Sequence, residues 1–393
     1  MKILFYRYGS ICEPDIIDSF KKMGIEVLEE TSQISNKEML PSQTVTDVSS
    51  ILKKHTVLFV FSVNFFPAVS DTCELFRVPY VSWTVDSPVM ELFSPALSNK
   101  CNRTFLFDRA QYEYFRPKNP EGIFYLPLAT NTERWDSVIR SASNATLRHF
   151  SADLSFIGSL YETKNPYAKI SGLSDYTKGY IDGVIEAQMG IYGYNFIESM
   201  LTPAVMEEFF QKVPDLTCSP YADTLSPGYV MANHFIGMEL AMRERYRLLG
   251  LLSEQFDVSL YTFSDTSSIP KVHAKGGAKT LTEMPLIFHQ SKINLNMTIR
   301  PIQTGLSLRV YDVLGCGGFL LTNYQAELPE YYEPGKEVET FSSPEELADK
   351  ADFYLRREDE RKKIARLGYE KTKAMHTYDH RIAEMIRIIH GTL

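Results

Sequence analysis

Cysteine is scarce and scattered: Cys12, Cys73, Cys101, Cys218 and Cys316 are the only five in 393 residues, and none forms a CxxC pair. That spacing excludes a zinc ribbon and a disulfide framework, and it fits a reducing compartment. No apolar run approaches the ~20 residues that a membrane-spanning helix needs. The longest, around residues 57–63, has the length of a strand. The start, MKILFYRYGS, lacks the basic flank, long apolar centre and small-residue cleavage site of a secretory signal. It reads as a first buried strand, so a cytoplasmic protein is expected. Positive charge is not in excess: 41 Lys and Arg stand against 49 Asp and Glu, a net charge of -8. A nucleic-acid binder that works by phosphate neutralisation is therefore excluded.

Several chemical signatures are missing as well. The eight histidines contain no HExxH, and His376 and His380 straddle a junction between two expected helices. His234 reads as a helix-start or core residue. GxSxG does not occur, and the GCGG around Gly315 is not a GxGxxG fingerprint, so hydrolase and hydride-transfer readings have little support. Asp-x-Asp is also absent, which leaves no acidic pair of the kind that holds a divalent ion on a diphosphate.

What is present is an ordinary globular composition, 44% hydrophobic and 23% charged, in a chain long enough for two or three domains. Strand-length apolar runs at 3–6, 25–29, 57–62, 80–84, 104–107 and 124–126 alternate with helical stretches such as 15–23. Such alternation predicts βαβ units, a parallel sheet, and binding loops at the carboxyl ends of its strands. Residues 141–150 read as a polar linker. LSFIGSLY then opens a second domain, and residues 166–254 are mainly helical, with Pro and Gly interruptions at 214–228. Strands return at 258–262, 293–297 and 319–322. Ser343-Pro344-Glu345-Glu346 is a capping box that starts a helix. A charged helix over 358–375, interrupted at Gly368, and a last helix over 378–389 complete the chain.

The most informative stretch runs from Asn294 to Asn323, NLNMTIRPIQTGLSLRVYDVLGCGGFLLTN. It reads as a strand ending near Asn296, a loop through Thr304, Gly305 and Leu306, and a helix from about Ser307. Free amides at a helix start favour an anion. Arg309 in the first turn offers a forked cationic contact to phosphate. Asp312, three residues on, is placed to accept ribose hydroxyl protons. In the first domain, WTVDSP places Asp86 just after a strand, where a carboxylate can act as a general base. Asp108 in FLFDR is a second candidate, and Asn64 with the Phe65-Phe66-Pro67 corner shapes the same side.

MPLIFHQSKINLNMT, followed by GLSLRVYDVLGCGGFLLTNYQAELPEYYEPGKEVETFSSPEELADKADFYL, closely resembles the glycosyltransferase module of the CgeB-like (spore maturation protein) family. NFFPAVSDTCELFRVPYVSWTVDSP and TFLFDR resemble the domain that usually precedes that module. The resemblance implies a GT-B fold, α/β, with two Rossmann-like domains facing across a cleft. These would be an acceptor-side domain over 1–140 and a donor-binding domain over 151–377 that includes the helical segment 166–254. A C-terminal helix over 378–393 would cross back to the first domain.

It also implies roles for single residues. Asp312, five before Gly317 in the Gly315-Cys316-Gly317 turn, stands where relatives carry a ribose-binding glutamate, and Thr304 stands where they carry a second. Gly158, Ser159 and Leu160 match a Gly-Arg-Leu opening without its arginine, and Lys164 falls at a diphosphate-binding lysine. Base recognition would fall on 280–285 near Met284, with Tyr261 and Thr262 lining the pocket. The implied activity is metal-independent hexosyl transfer from a nucleotide-diphosphate sugar, with UDP-N-acetylglucosamine as leading donor and no cofactor. The acceptor would be a hydroxyl of a protein (flagellin or spore-coat type) or a glycan, with the helical segment helping to hold it. A nucleotide-sugar epimerase, or a non-catalytic nucleotide-sugar or protein-binding module on the same fold, remains the alternative.

Overall fold

A computed structural model describes residues 1–213 and 224–391; part of the interruption expected at 214–228 lies outside the described residues. The chain divides into two compact units. The first holds Met1–Ala129 and the chain from Thr377 onward. The second holds nearly everything between Thr130 and His376.

In the first unit the apolar runs form β1 (Lys2–Tyr6), β2 (Glu26–Glu30), β3 (Val60–Val63), β4 (Tyr80–Trp83), β5 (Asn102–Leu106) and β6 (Ile123–Tyr125). They pair in the order β2-β1-β3-β4-β5-β6, with every ladder parallel. Leu4 stands beside Val60, and Val60 beside Tyr80. Every residue of β3 and β4 is buried, as expected of central strands in a sheet covered on both faces. Phe61 packs against Phe5 and Phe20 at ring distances of 4.9 and 5.3 Å.

The second unit repeats the plan with β7 (Ala152–Ile157), β8 (Val258–Tyr261), β9 (His273–Ala274), β10 (Ser291–Asn296), β11 (Leu320–Asn323) and β12 (Glu339–Phe341). Their order, β12-β11-β10-β7-β8-β9, is again wholly parallel. Renumbered within the unit this is 6-5-4-1-2-3, the Rossmann order, which reverses direction between β7 and β10. In the first unit the reversal lies between β1 and β3. Each reversal opens a crevice at the carboxyl ends of the strands, where ligands of such sheets sit.

Local chemistry explains the helix boundaries. The Pro344–Arg356 helix starts where the capping box predicts: Ser343 Oγ accepts from the Glu346 amide at 3.1 Å. Glu346 reaches back one residue further than expected, accepting from the Ser342 amide at 2.7 Å. Residues 141–150 are not a plain linker. Asn144–His149 is a helix capped by Ser143, and it lies in the second unit with the preceding helix, Thr132–Ser141. The first unit thus ends at Ala129, not near residue 140. The Tyr378–His390 helix packs on the first unit, where Arg381 Nε donates to the carbonyls of Pro127 and Leu128 at 3.0 and 3.2 Å. No helix among the described residues is long and apolar enough to cross a membrane.

Gly368 does not interrupt its helix, which runs unbroken from Glu358 to Met375. It is there for space: a Cβ at this position would stand 2.3 Å from the Glu337 carbonyl oxygen and 2.9 Å from Leu314 Cδ2. Gly368→Val should therefore cost about 2 kcal/mol or more through overpacking. Thermal denaturation should show a midpoint at least about 4 °C lower, and an unchanged midpoint would contradict this packing.

Candidate functional site

The chain leaving β7 turns sharply. Gly158 and Ser159 follow the strand, Tyr161 adopts a left-handed backbone with φ 73°, and a short turn over Glu162–Lys164 follows. The turn is tied to the end of β8, since the Leu160 amide donates to Ser264 Oγ at 2.8 Å and the Gly158 amide to the Tyr261 carbonyl at 3.1 Å. A cavity of about 310 Å³ opens here at the carboxyl ends of β7 and β8. Gly158, Ser159 and Lys164 line it together with Tyr261, Thr262 and Arg309, so half of the twelve expected donor-site residues converge on one pocket.

Arg309 reaches this cavity from the first turn of the Leu308–Gly315 helix, whose N-cap residue, Ser307, makes no capping bond with its side chain. Its guanidinium touches the Met284 sulfur, lies over the Phe288 ring at 5.5 Å and stands 3.5 Å from Asp312 Oδ2. Lys164, exposed, also lines the cavity. Two cations on a pocket at the carboxyl edge of a parallel sheet can attract an anion.

The other six expected residues lie outside the lining. Met284 is buried, and its amide donates to the Lys279 carbonyl at 3.0 Å, so it has no free N–H for a base. Asn296 is consumed at the end of β10, where its amide nitrogen donates to Thr298 and Thr322 at 3.0 and 2.9 Å. Thr304 Oγ1 donates to Glu327 Oε1 at 2.6 Å. The Gly305 carbonyl accepts from Gln325 at 3.1 Å, and Leu306 is buried. Asp312 is also buried, and its Oδ1 accepts from Thr130 Oγ1 at 2.8 Å while Oδ2 faces Arg309. It orients the arginine and does not present a carboxylate to the cavity.

Sequence reading missed several lining residues. Glu162 is one: its Oε1 accepts from the Asp265 amide at 3.1 Å, and its Oε2 is buried without a partner. Phe263 is another, an aromatic 95% exposed at the rim. The signal for Phe263 was its position just past β8, next to the expected Tyr261 and Thr262. For Glu162 it was an acid inside the turn that carries Lys164.

The first unit has its own polar cluster at its strand ends. Asp86 is exposed after β4, and its Oδ2 accepts from the Asn64 amide nitrogen at 2.7 Å. Tyr8 Oη, 3.5 Å from the same oxygen, accepts from that amide at 2.9 Å. Asn64 sits at φ 58°, a left-handed conformation that asparagine tolerates, and its Oδ1 accepts from the Val85 amide at 3.0 Å. Burial, then the neighbouring Asp86 charge, pushes the Tyr8 hydroxyl pKa upward, so it stays protonated as a donor. Asp108 is no second base: it is fully buried and caps the following helix through the Ala110 amide at 3.0 Å. His234 lies in a π-helical stretch, Met231–Ile236, where burial lowers its pKa.

Residues 241–387 match the profile of a family described as glycosyl transferase-like. No curated protein sequence matches the chain. Among solved structures, Anabaena HepE in complex with UDP and glucose shares 13% identity, with 98% of this chain and 99% of that chain covered at a TM-score of 0.51. Sucrose-phosphate synthase from Thermosynechococcus elongatus shares 9% identity over the whole of both chains at a TM-score of 0.54. A glycosyltransferase from Rickettsia africae shares 10%, with 100% and 98% covered, at 0.51. The fold is GT-B, built from two Rossmann-like units.

Thr130 links this site to its surroundings, because its hydroxyl also accepts from Trp135 Nε1 at 2.7 Å. Thr130→Val should leave both the indole N–H and Asp312 Oδ1 short of a partner, costing about 2 kcal/mol or more. Chemical denaturation should show the loss, and a variant as stable as the parent would contradict the chain of bonds.

Proposed function

We propose that the protein is a glycosyltransferase that moves a hexosyl group from a nucleotide-diphosphate sugar to an acceptor hydroxyl. The observation that carries this reading is the cavity at the ends of β7 and β8, where Arg309 and Lys164 meet the Ser159 turn. The GT-B fold and the glycosyl transferase-like match over 241–387 support a transferase. HepE was solved with UDP-glucose as well as with UDP and glucose, which supports a UDP-sugar donor here. UDP-N-acetylglucosamine as that donor, and a protein or glycan as acceptor, rest on the CgeB-like resemblance; a place in the cytoplasm rests on the scattered cysteines, which fit a reducing compartment.

In this reading the acceptor oxygen attacks the anomeric carbon, the bond from that carbon to the diphosphate oxygen breaks, and UDP departs. Asp86 takes the acceptor proton on the oxygen that Asn64 and Tyr8 leave free. Arg309 and Lys164 meet the charge that develops on the diphosphate, so the reaction calls for no metal. Glu162, with an unpartnered buried oxygen in the cavity lining, accepts a ribose hydroxyl in the role expected of Asp312.

A hydrolysis and transfer screen over UDP-, GDP- and dTDP-sugars tests the reading, with Asp86→Asn beside the parent. UDP-sugar turnover should fall by about 10²-fold or more in the variant, while UDP affinity is retained. Near-normal turnover would remove Asp86 from the mechanism. Release of an altered sugar nucleotide without acceptor would indicate an epimerase, and binding without turnover a non-catalytic module.

A further inference from the structure

One buried cation in the second unit forms no ion pair among the described residues. Arg245 projects from the Gly237–Ser253 helix on the face that carries Ala241, Leu248 and Leu252 into the core. Its side chain runs under the switch point of the sheet. Nη1 donates to the Ser159 carbonyl just past β7, and Nη2 donates to the Met297 carbonyl just past β10, at 2.7 Å. The guanidinium lies between the rings of Phe156 and Tyr161, at 5.2 and 4.7 Å. Its Nε is buried with no hydrogen-bond partner among the described residues. The adjacent acid, Glu244, is bound to Arg300 at 2.8 Å.

A guanidinium stays charged in proteins, and a buried charge without a counter-charge is costly. Here two carbonyl dipoles and two aromatic faces, with the nearby Glu244 charge, carry the compensation. Burial lowers the Arg245 pKa most, Tyr161 and the nearby Glu244 charge raise it, and the positive charge of Arg309 lowers it again, so the two cations repel each other across the pocket wall. That wall is thin. A Cβ at Gly158 would stand 3.6 Å from Arg245 Nη1, and Gly158 itself lines the cavity. An anion in the cavity would relieve both charges at once.

Resting on the donor reading above, we infer that Arg245 is the fixed cation beneath the diphosphate site, a positioning residue that supplies from the core the charge Ser159 lacks. It pins the turn by its first carbonyl, holds Tyr161 in its left-handed conformation by stacking, and so sets where Lys164 and Glu162 enter the pocket. It reaches the ligand through the field and the turn, without direct contact.

Calorimetric titration of the full chain with UDP and with uridine tests this. Arg245→Met should weaken UDP about tenfold or more while uridine changes by less than about twofold. Adding Ser159→Arg to that variant should recover most of the lost UDP affinity. Equal losses for UDP and uridine, or a folded double variant that recovers nothing, would overturn the inference while leaving the donor reading intact. Should Arg245→Met not fold, Arg245→Lys carries the test, because it keeps the charge but cannot bridge both carbonyls. A loss for UDP alone supports the inference, and an equal loss or none overturns it. A parent protein that does not bind UDP would remove the donor reading itself.

Discussion

Positive charge held at the carboxyl edge of a parallel sheet, against an apolar core, is the constraint on which the second unit is organised. The reversal between β7 and β10 opens the crevice. The same reversal brings the Ser159 and Met297 carbonyls within reach of one guanidinium. Arg309 approaches from the other side, oriented by a buried aspartate that is itself held by Thr130 and Trp135. Each cation is fixed by the fold before any ligand arrives, so an anion bound there would meet charges that need not reorganise. The glycines around it serve space more than flexibility. A Cβ at Gly315 would lie 2.6 Å from Thr130 Cγ2, and one at Gly318 would lie 2.5 Å from the Phe288 carbonyl.

The first unit applies the same sheet logic to a carboxylate. Its strand ends gather Tyr8, Asn64 and Asp86, and the left-handed asparagine ties the end of β3 to the start of the loop after β4. Here both polar atoms of the asparagine side chain are used, one on the acid and one on the backbone. One oxygen of Asp86 is thereby fixed and the exposed carboxylate is aimed.

Much of the framework was legible because buried parallel strands are nearly continuous apolar runs. Residues 3–6, 80–84 and 293–297 show this. Ser343-Pro344 marked a helix start by its own hydrogen-bond chemistry. The 144–149 helix was hidden because a short surface helix has no apolar stripe to betray it, and Gly368 misled because its reason lies in a carbonyl from a distant segment. In the site, motif spacing led to the turn and the arginine that line the cavity, yet it could not tell which way a side chain points. Asn296, Thr304 and Asp312 sit near the cavity in sequence but turn toward buried partners. Arg245 hid in a stretch read as mainly helical; a charged residue in phase with Ala241 and Leu248 was the available signal. Glu162 and Phe263 are neighbours of expected residues, and only the fold shows that they share one wall.

The central claim is that the diphosphate of a UDP-sugar sits at the turn after β7, against Arg309 and above Arg245. A crystal structure of the protein grown with UDP tests it most directly. The account predicts both phosphates in the 310 Å³ cavity, with a phosphate oxygen in hydrogen-bond reach of Arg309 and of the turn that carries Ser159. Nucleotide density elsewhere, with that cavity filled by water, would contradict it.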